Sequence, residues 1–101
     1  MPAPRAEPAA ITVQVENGTA VPGLAERATQ YLAGNGYRLA SPVNGPRGVA
    51  RTTVTFYDAN ARDAAFAVAR LLGATVIAGN RPASAGAPVV VILGTDAARR
   101  F

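Results

Sequence analysis

Two glycines and a proline punctuate the stretch Val15-Glu16-Asn17-Gly18-Thr19-Ala20-Val21-Pro22-Gly23-Leu24-Ala25. This stretch joins an alternating apolar segment to an amphipathic one. Four residues separate Gly18 from Gly23, which is the glycine spacing of a phosphate-binding P-loop. Leu24 and Ala25, however, stand where that motif needs a lysine and a magnesium-binding hydroxyl. The stretch therefore argues against a nucleotide-dependent enzyme and predicts a corner between a strand and a helix.

A strand is predicted before this corner and a helix after it. Ile11, Val13 and Val15 alternate with polar residues, which predicts a half-buried strand with these three side chains facing inward. Apolar residues then recur at helical spacing and form one face. They are Leu24, Ala25, Ala28, Tyr31 and Leu32. The helix is predicted to end at residues 34–36, Gly-Asn-Gly, because these residues accept the left-handed backbone that closes helices.

The second half of the chain repeats this order. Residues 52–57 are rich in β-branched and aromatic side chains and predict a strand with Val54 and Phe56 facing the core. A helix follows over residues 61–72. Its predicted buried side chains are Ala61, Ala65, Val68 and Leu72. Further strands are predicted at residues 37–39, 75–78 and 89–93, the last of them apolar on both faces.

The order strand, helix, strand, strand, helix, strand, strand predicts an α+β fold. We expect a two-layer sandwich in which a mostly antiparallel sheet carries two helices on one face, with the ferredoxin-like order strand-helix-strand-strand-helix-strand. Residues 1–9 are rich in Pro and Ala and are predicted to be a disordered linker or tail. Residues 10–101 are predicted to form a single domain.

The composition excludes several kinds of site. The chain has no cysteine and no histidine, so thiol nucleophiles, Ser-His pairs and zinc sites with such ligands are excluded. We predict no cofactor, no metal and no catalytic residue. The net charge of +4 permits an anionic partner, but the ten arginines are scattered, which argues against nucleic acid. No run of about 18 apolar residues is present, so membrane attachment is expected only through an anchor outside this sequence.

Four segments together carry a resemblance to a known family. They are Val13-x-Val15-x-Asn17-Gly18-Thr19-x-Val21-Pro22-Gly23-Leu24-Ala25, then Thr52-x-Val54-x-Phe56-Tyr57, Leu71-Leu72-Gly73, and Val90-Val91-Ile92-Leu93-Gly94-x-Asp96. Over roughly residues 10–96 the chain resembles the LytR C-terminal domain, the accessory domain of LytR-CpsA-Psr cell-envelope proteins. The first segment is distinctive in order and spacing, whereas the closing Leu-Gly-x-Asp would be weak alone.

The resemblance implies a context more than an activity. Such domains lie outside the cytoplasmic membrane, mostly in Gram-positive bacteria and especially actinobacteria. They are tethered by one spanning helix of the parent chain, either beside a phosphotransferase domain or alone. No catalytic residue of that phosphotransferase has a counterpart here. We therefore expect a non-catalytic, extracytoplasmic accessory domain that binds peptidoglycan or a wall glycopolymer. The alternative is a domain that binds a partner envelope protein or a second copy of itself.

Three surfaces are candidates for such binding. The first is the loop at the start of the first helix, where Gly18, Thr19 and Gly23 could hold an anion against the helix N-terminus. The structural alternative is that these residues only shape the turn. It is favoured because no basic side chain accompanies the loop.

The second candidate is the outward face of the sheet, taken to consist of two neighbouring strands. Its predicted ligand-binding residues are Thr12, Gln14, Thr53, Thr55 and Tyr57, with Arg51 at the edge. A flat polar face with one tyrosine can stack a sugar ring and bind its hydroxyl groups. An RNA-binding sheet would show two or three stacking aromatics, and only one is available here. The alternative is an ordinary solvated sheet face.

The third candidate is the outward side of the second helix. Phe66 is predicted to lie opposite the apolar stripe, with Arg62 and Arg70 one turn before and after it. This cluster could contact a partner, or the arginines could simply cover the ring. Asp58 and Asp96 could in principle form a glycosidase-like pair, but both lie in cap or turn contexts, which argues against catalysis.

Overall fold

The computed structural model describes residues 11–79 and 87–101. The predicted tail at residues 1–9 lies outside them. The strands are β1 (Thr12–Asn17), β2 (Arg38–Leu39), β3 (Val43–Asn44), β4 (Thr53–Phe56), β5 (Thr75–Ala78) and β6 (Val89–Leu93). The α-helices are α1 (Leu24–Gly34) and α2 (Arg62–Leu72), and 3-10 turns occupy Ala59–Ala61 and Thr95–Arg99.

Each helix and strand predicted from the sequence is present, and β3 is an addition. This two-residue strand lies in a segment rich in Pro and Gly and pairs with the end of β1. A strand this short has no room for an alternating pattern, so only its backbone pairing reveals it.

The sheet is mixed, with β6 at its centre. The strand order is β2-β1-β6-β4-β5, and β3 pairs with β1. β1 is parallel to β2, β3 and β6, and β4 is parallel to β5. Among the described strands only β4 and β6 are antiparallel neighbours. Val91 of β6 is in register with Val15 on one side and Val54 on the other.

The expectation of a mostly antiparallel sheet is therefore wrong, and the ferredoxin-like order is not confirmed. The physical reason is that the strands joined by each helix, β1 and β2 or β4 and β5, are direct neighbours in the sheet, and the connections between them are helices. Each has 11 residues, so it carries the chain back along the sheet by about 16 Å. The strand that follows then starts from the same end as the strand before the helix, which makes the two parallel. The α+β class itself, with two helices and a small sheet, is confirmed.

The core lies between the sheet and both helices. α1 packs against β1 and β2, whereas α2 packs against β4 and β5. The largest fully buried side chains are Leu24, Leu32, Leu93, Val13, Val15, Val54, Val68, Val89 and Val91. They form one cluster, so both helices cover the same face of the sheet. The two strand-helix-strand units, β1-α1-β2 and β4-α2-β5, run in opposite directions. When both crossovers have the usual right hand, such units place their helices on the same face of the sheet.

The C-terminal segment completes this helical layer. After β6 the 3-10 turn places Ala97 in the core, and Phe101 packs against its margin. Tyr31 was expected on the buried face of α1, yet it is 41% exposed. Its ring instead contacts that of Phe101, with 5.4 Å between the ring centroids.

The corner after β1 depends on the absence of a side chain at Gly18. The N–H of Gly18 donates to the carbonyl of Leu93 at 3.0 Å, and its own carbonyl accepts from the N–H of Val49 at 3.0 Å. A Cβ at position 18 would lie 2.5 Å from the Leu93 oxygen and 2.7 Å from Val49 Cγ2. Neither neighbour can yield easily, because both positions are tied by backbone hydrogen bonds.

We predict that Gly18→Ala lowers the free energy of unfolding by about 1–3 kcal/mol through overpacking. Gly34→Ala is the matched control, because its Cβ meets no atom within 4 Å. In α1 that control should be neutral or stabilising by up to about 1 kcal/mol. Urea denaturation of both variants measures the difference, and equal unfolding midpoints would contradict the prediction.

Candidate functional site

The corner between β1 and α1 is closed by its own side chains. Asn17 Oδ1 accepts hydrogen bonds from the N–H of Thr19 at 2.9 Å and from its hydroxyl at 2.7 Å. Asn17 Nδ2 donates to the carbonyl of Val21 at 2.8 Å, and Thr19 Oγ1 accepts from the N–H of Val21 at 3.1 Å. Both polar side chains are buried. The Asn-Gly-Thr sequence therefore builds a rigid turn.

This arrangement favours the structural interpretation of the candidate anion loop. The hydroxyl group of Thr19 donates a hydrogen bond to Asn17 Oδ1 and so is not directed at a ligand. Gly23 adopts a left-handed conformation with φ 76° as the chain enters α1, which accounts for a glycine there. Glu26 lies in the first turn of α1 and already offsets the positive end of the helix.

The face of the sheet opposite the helices carries two rows of side chains that cross four strands. One row is Gln14, Val90, Thr55 and Ile77, and the next is Glu16, Ile92, Thr53 and Thr75. We call these eight residues the open face. Ile77 is 44% exposed, whereas Val90 and Thr55 are buried. The predicted polar surface is thus only partly right: β6 separates β1 from β4 and places two aliphatic side chains between their polar groups.

Tyr57 and Gln14 are positioned at the borders of the open face. A Cβ on Gly79 would collide with the ring of Tyr57 and with the methyl group of Thr55, so the half-buried tyrosine ring lies over Gly79. Gln14 Nε2 donates to the carbonyl of Ser41 at 3.1 Å, which holds the amide against the loop before β3. Thr12, also predicted here, is half-buried on β1.

Arg51, which was predicted at the edge of this face, lines an open pocket of about 510 Å³. We call it the arginine pocket. Its lining residues are Ala50, Arg51, Thr95, Asp96 and Arg99. It lies where the segment before β4 meets the 3-10 turn after β6. Sequence reasoning missed this pocket, because its two halves are more than forty residues apart.

Asp96 and Thr52 hold the two halves of the pocket together. Asp96 Oδ1 accepts from the hydroxyl of Thr52 at 2.6 Å and from its N–H at 3.0 Å, and Oδ2 lies 3.2 Å from the same nitrogen. Thr52 Oγ1 in turn accepts from the N–H of Gly94 at 3.0 Å. The buried hydroxyl therefore bridges a carboxylate and a backbone N–H. In the sequence, the closing Leu-Gly-x-Asp was the only sign of this contact.

The two aspartates considered as a glycosidase pair do not meet. Asp58 follows β4, where its carboxylate accepts from the N–H of Asn60 at 2.9 Å and caps the turn before α2. Asp96 follows β6. Because β4 and β6 are antiparallel, their C-terminal ends lie at opposite ends of the sheet. Among the described residues no group of three acidic, His or Cys side chains could hold a metal ion.

The outer side of α2 carries Phe66 as predicted. Its ring is 43% exposed, and the guanidinium carbon of Arg62 lies 5.1 Å from the ring centroid, a cation–π contact. Arg70 instead lines a groove of about 300 Å³ with Asn35, Tyr37, Ala67 and Leu71. Burial raises the pKa of the Tyr37 phenol above its ordinary value of 10.0.

Comparison with known proteins decides the family. The family described as LytR cell envelope-related transcriptional attenuator matches residues 10–96, nearly the whole chain. The chain belongs to this family. The resemblance read from the corner sequence is thereby confirmed, and family membership gives the domain a cell-envelope context.

Two solved structures are similar to this LytR C-terminal domain. The solution structure of the C-terminal domain of Rv0431 is 28% identical, with a TM-score of 0.56 and coverage of 93% of this chain and 76% of that one. The crystal structure of the soluble domain of a conserved hypothetical secreted protein from Mycobacterium marinum, an Rv2700 ortholog, is 24% identical with a TM-score of 0.68. It covers 91% of this chain and 64% of that one and shows the shared fold. No curated protein sequence matches significantly.

Neither α1 nor α2 is long and apolar enough to cross a membrane, and the remaining described residues of this LytR C-terminal domain contain no such helix.

We predict that Thr52→Val destabilises the LytR C-terminal domain by about 1–3 kcal/mol, because it leaves the buried Gly94 N–H without its acceptor and removes the hydroxyl that donates to Asp96 Oδ1. Thr53→Val is the matched control, since the Thr53 hydroxyl makes no hydrogen bond within the described chain. That change should stay within about 0.5 kcal/mol. Thermal unfolding compares the two, and equal losses would show that the bridge has no special role.

We predict that the Tyr37 phenol ionises only above its ordinary pKa of 10.0 in the folded domain. A raised folded pKa means that the stability contribution is fully present below the unfolded pKa and is lost as pH rises through the folded pKa. An alkaline absorbance titration of tyrosinate should therefore lose its late component in Tyr37→Phe. The alkaline decline in unfolding free energy should also become shallower in that variant, and an unchanged titration would contradict the prediction.

Proposed function

We propose that this domain is a non-catalytic binding module of an extracytoplasmic cell-envelope protein and that its ligand is a wall glycan, either peptidoglycan or a glycopolymer. The open face is the binding surface in this proposal. The observation that carries it is that the row Glu16, Ile92, Thr53 and Thr75 crosses four strands with no buried member and combines carboxylate, aliphatic and hydroxyl groups.

The chemistry of these rows suits a sugar. A pyranose ring has apolar C–H faces and a rim of hydroxyl groups, so it needs aliphatic or aromatic contacts beside hydrogen-bonding groups. Ile77 and Ile92 provide the former, while Thr53 and Thr75 provide the latter. Strands lie about 4.8 Å apart, so neighbouring groups can contact one sugar ring together. Tyr57 adds an aromatic ring at the border.

The location of the domain is part of the same proposal. Membership of a cell-envelope family and the similarity to a secreted mycobacterial protein support a position outside the cytoplasmic membrane. Attachment to the membrane would come from the parent chain. The absence of catalysis is supported by the separation of Asp58 from Asp96 and by their use in turn and bridge contacts.

We expect the purified domain to co-sediment with insoluble peptidoglycan or with wall sacculi that retain their glycopolymers. The double change Thr53→Ala with Tyr57→Ala should weaken this binding roughly tenfold, since one hydrogen bond and one stacking contact are together worth on the order of 1–3 kcal/mol. Phe66→Ala is the matched control, because it removes an exposed ring on the opposite layer. If wild-type protein stays in the supernatant with both materials, wall binding is ruled out.

Exposure of Phe66 favours a second candidate, docking of a partner envelope protein or of a second copy. Large apolar side chains at protein interfaces act as anchors. Arg62, which lies over the Phe66 ring, would make polar contacts at the rim of such an interface. Arg62, Phe66 and Arg70 form the surface in this case. We predict that Phe66→Ala abolishes any self-association seen by analytical ultracentrifugation, whereas Tyr57→Ala leaves it unchanged. A monomer at all concentrations would direct the search to a different protein.

A further inference from the structure

We propose that the arginine pocket binds an oxyanion, namely a phosphate or phosphodiester group of a larger envelope molecule. The site stands apart from the open face and does not depend on glycan binding there. Arg51 and Arg99 line the same pocket of about 510 Å³, and both residues are exposed. A guanidinium group can bind phosphate through two parallel hydrogen bonds, so a pocket lined by two arginines suits this anion.

The lining keeps a net positive charge, because it carries two arginines and one carboxylate, that of Asp96. Asp96 is the acidic residue in the lining, yet both of its oxygens face the N–H or hydroxyl of Thr52. Within the described chain neither Arg51 nor Arg99 forms an ion pair or a hydrogen bond with its side chain. These two are available for an external anion.

The pocket is held in shape before any ligand arrives. The N–H of Thr95 donates to the carbonyl of Val49 at 3.0 Å, and the N–H of Asp96 donates to that of Ala50 at 3.2 Å. The Thr95 hydroxyl also donates to Ala50 at 3.3 Å. These bonds join the two segments that carry the arginines, so binding need not assemble the site. A preorganised site loses less entropy on binding.

The same bonds restrict the class of ligand. The N–H groups of Gly94, Thr95 and Asp96 are used within the protein, so the anion is bound by guanidinium groups and not by a backbone cradle. The lining offers no aromatic ring and only small apolar groups, which excludes a base or a lipid chain. A charged phosphate or phosphodiester fits this lining, and it can belong to a wall polymer or to a lipid headgroup.

Two-dimensional NMR titration with inorganic phosphate and with dimethyl phosphate tests the proposal. At constant ionic strength we expect shifts at Ala50, Arg51, Thr95, Asp96 and Arg99. The double variant Arg51→Ala with Arg99→Ala should weaken the affinity by roughly tenfold or more, and the lysine pair should recover part of it, since lysine keeps the charge but not the fork. Arg27→Ala, on the exposed face of α1, is the control for each single arginine change, because it removes the same charge outside the pocket.

The outcomes are distinct. Shifts confined to the pocket and lost in the alanine pair support the site. Absence of shifts there, or shifts that persist in the alanine pair or vanish equally in Arg27→Ala, overturn it. Sedimentation with phosphatidylglycerol vesicles, compared with phosphatidylcholine vesicles, then separates the two sources of the phosphate. Arginine-dependent binding to phosphatidylglycerol assigns a lipid headgroup. Absence of that binding, together with a positive NMR titration, assigns a wall polymer. Thr53→Ala with Tyr57→Ala should titrate like the wild type, so failure of glycan binding leaves this test intact.

Discussion

The close backbone contact at Gly18 is the constraint on which the rest of the molecule depends. Through it the end of β1 is hydrogen-bonded to the end of β6 and to the segment that leads into β4. The sheet, the helical layer and the arginine pocket each include or adjoin one of these three segments. A side chain at this position would push them apart, because its nearest atoms would be the carbonyl oxygen of Leu93 in β6 and the side chain of Val49.

The position of β6 follows from the same geometry and determines what each face presents. Val89, Val91 and Leu93 complete the core beneath both helices, whereas Val90 and Ile92 extend through the opposite face. A strand that is apolar on both sides must lie inside a sheet and be covered on both faces, and here it joins two strand-helix-strand units of opposite direction. The open face therefore carries both apolar and polar groups, and this is the property on which the proposal of sugar binding rests.

Much of the local structure could be predicted from the sequence, and the candidate sites could be predicted only in part. Phe66 was placed correctly because the helical period alone determines which side of α2 it occupies. Thr53 and Thr55 were placed on a common face by the period of a strand. The pocket that Arg51 shares with Arg99 was not predicted, because Arg99 comes from the other end of the chain and no periodicity connects the two residues. The Thr52 bridge to Asp96 was missed for the same reason.

By itself, the sequence determined the helices, the main strands, the inward-facing side chains and the family, since all of these depend on residue type and short-range spacing. The segment from Val13 to Ala25 is the most distinctive of the four segments that indicate the family, and its corner side chains bond mainly to one another. Tertiary structure alone decided that the sheet is largely parallel, that β6 separates β1 from β4, and that two distant arginines share a pocket. Those features depend on which strands become neighbours, and pairing partners are selected by the packing of the whole core and not by any local pattern.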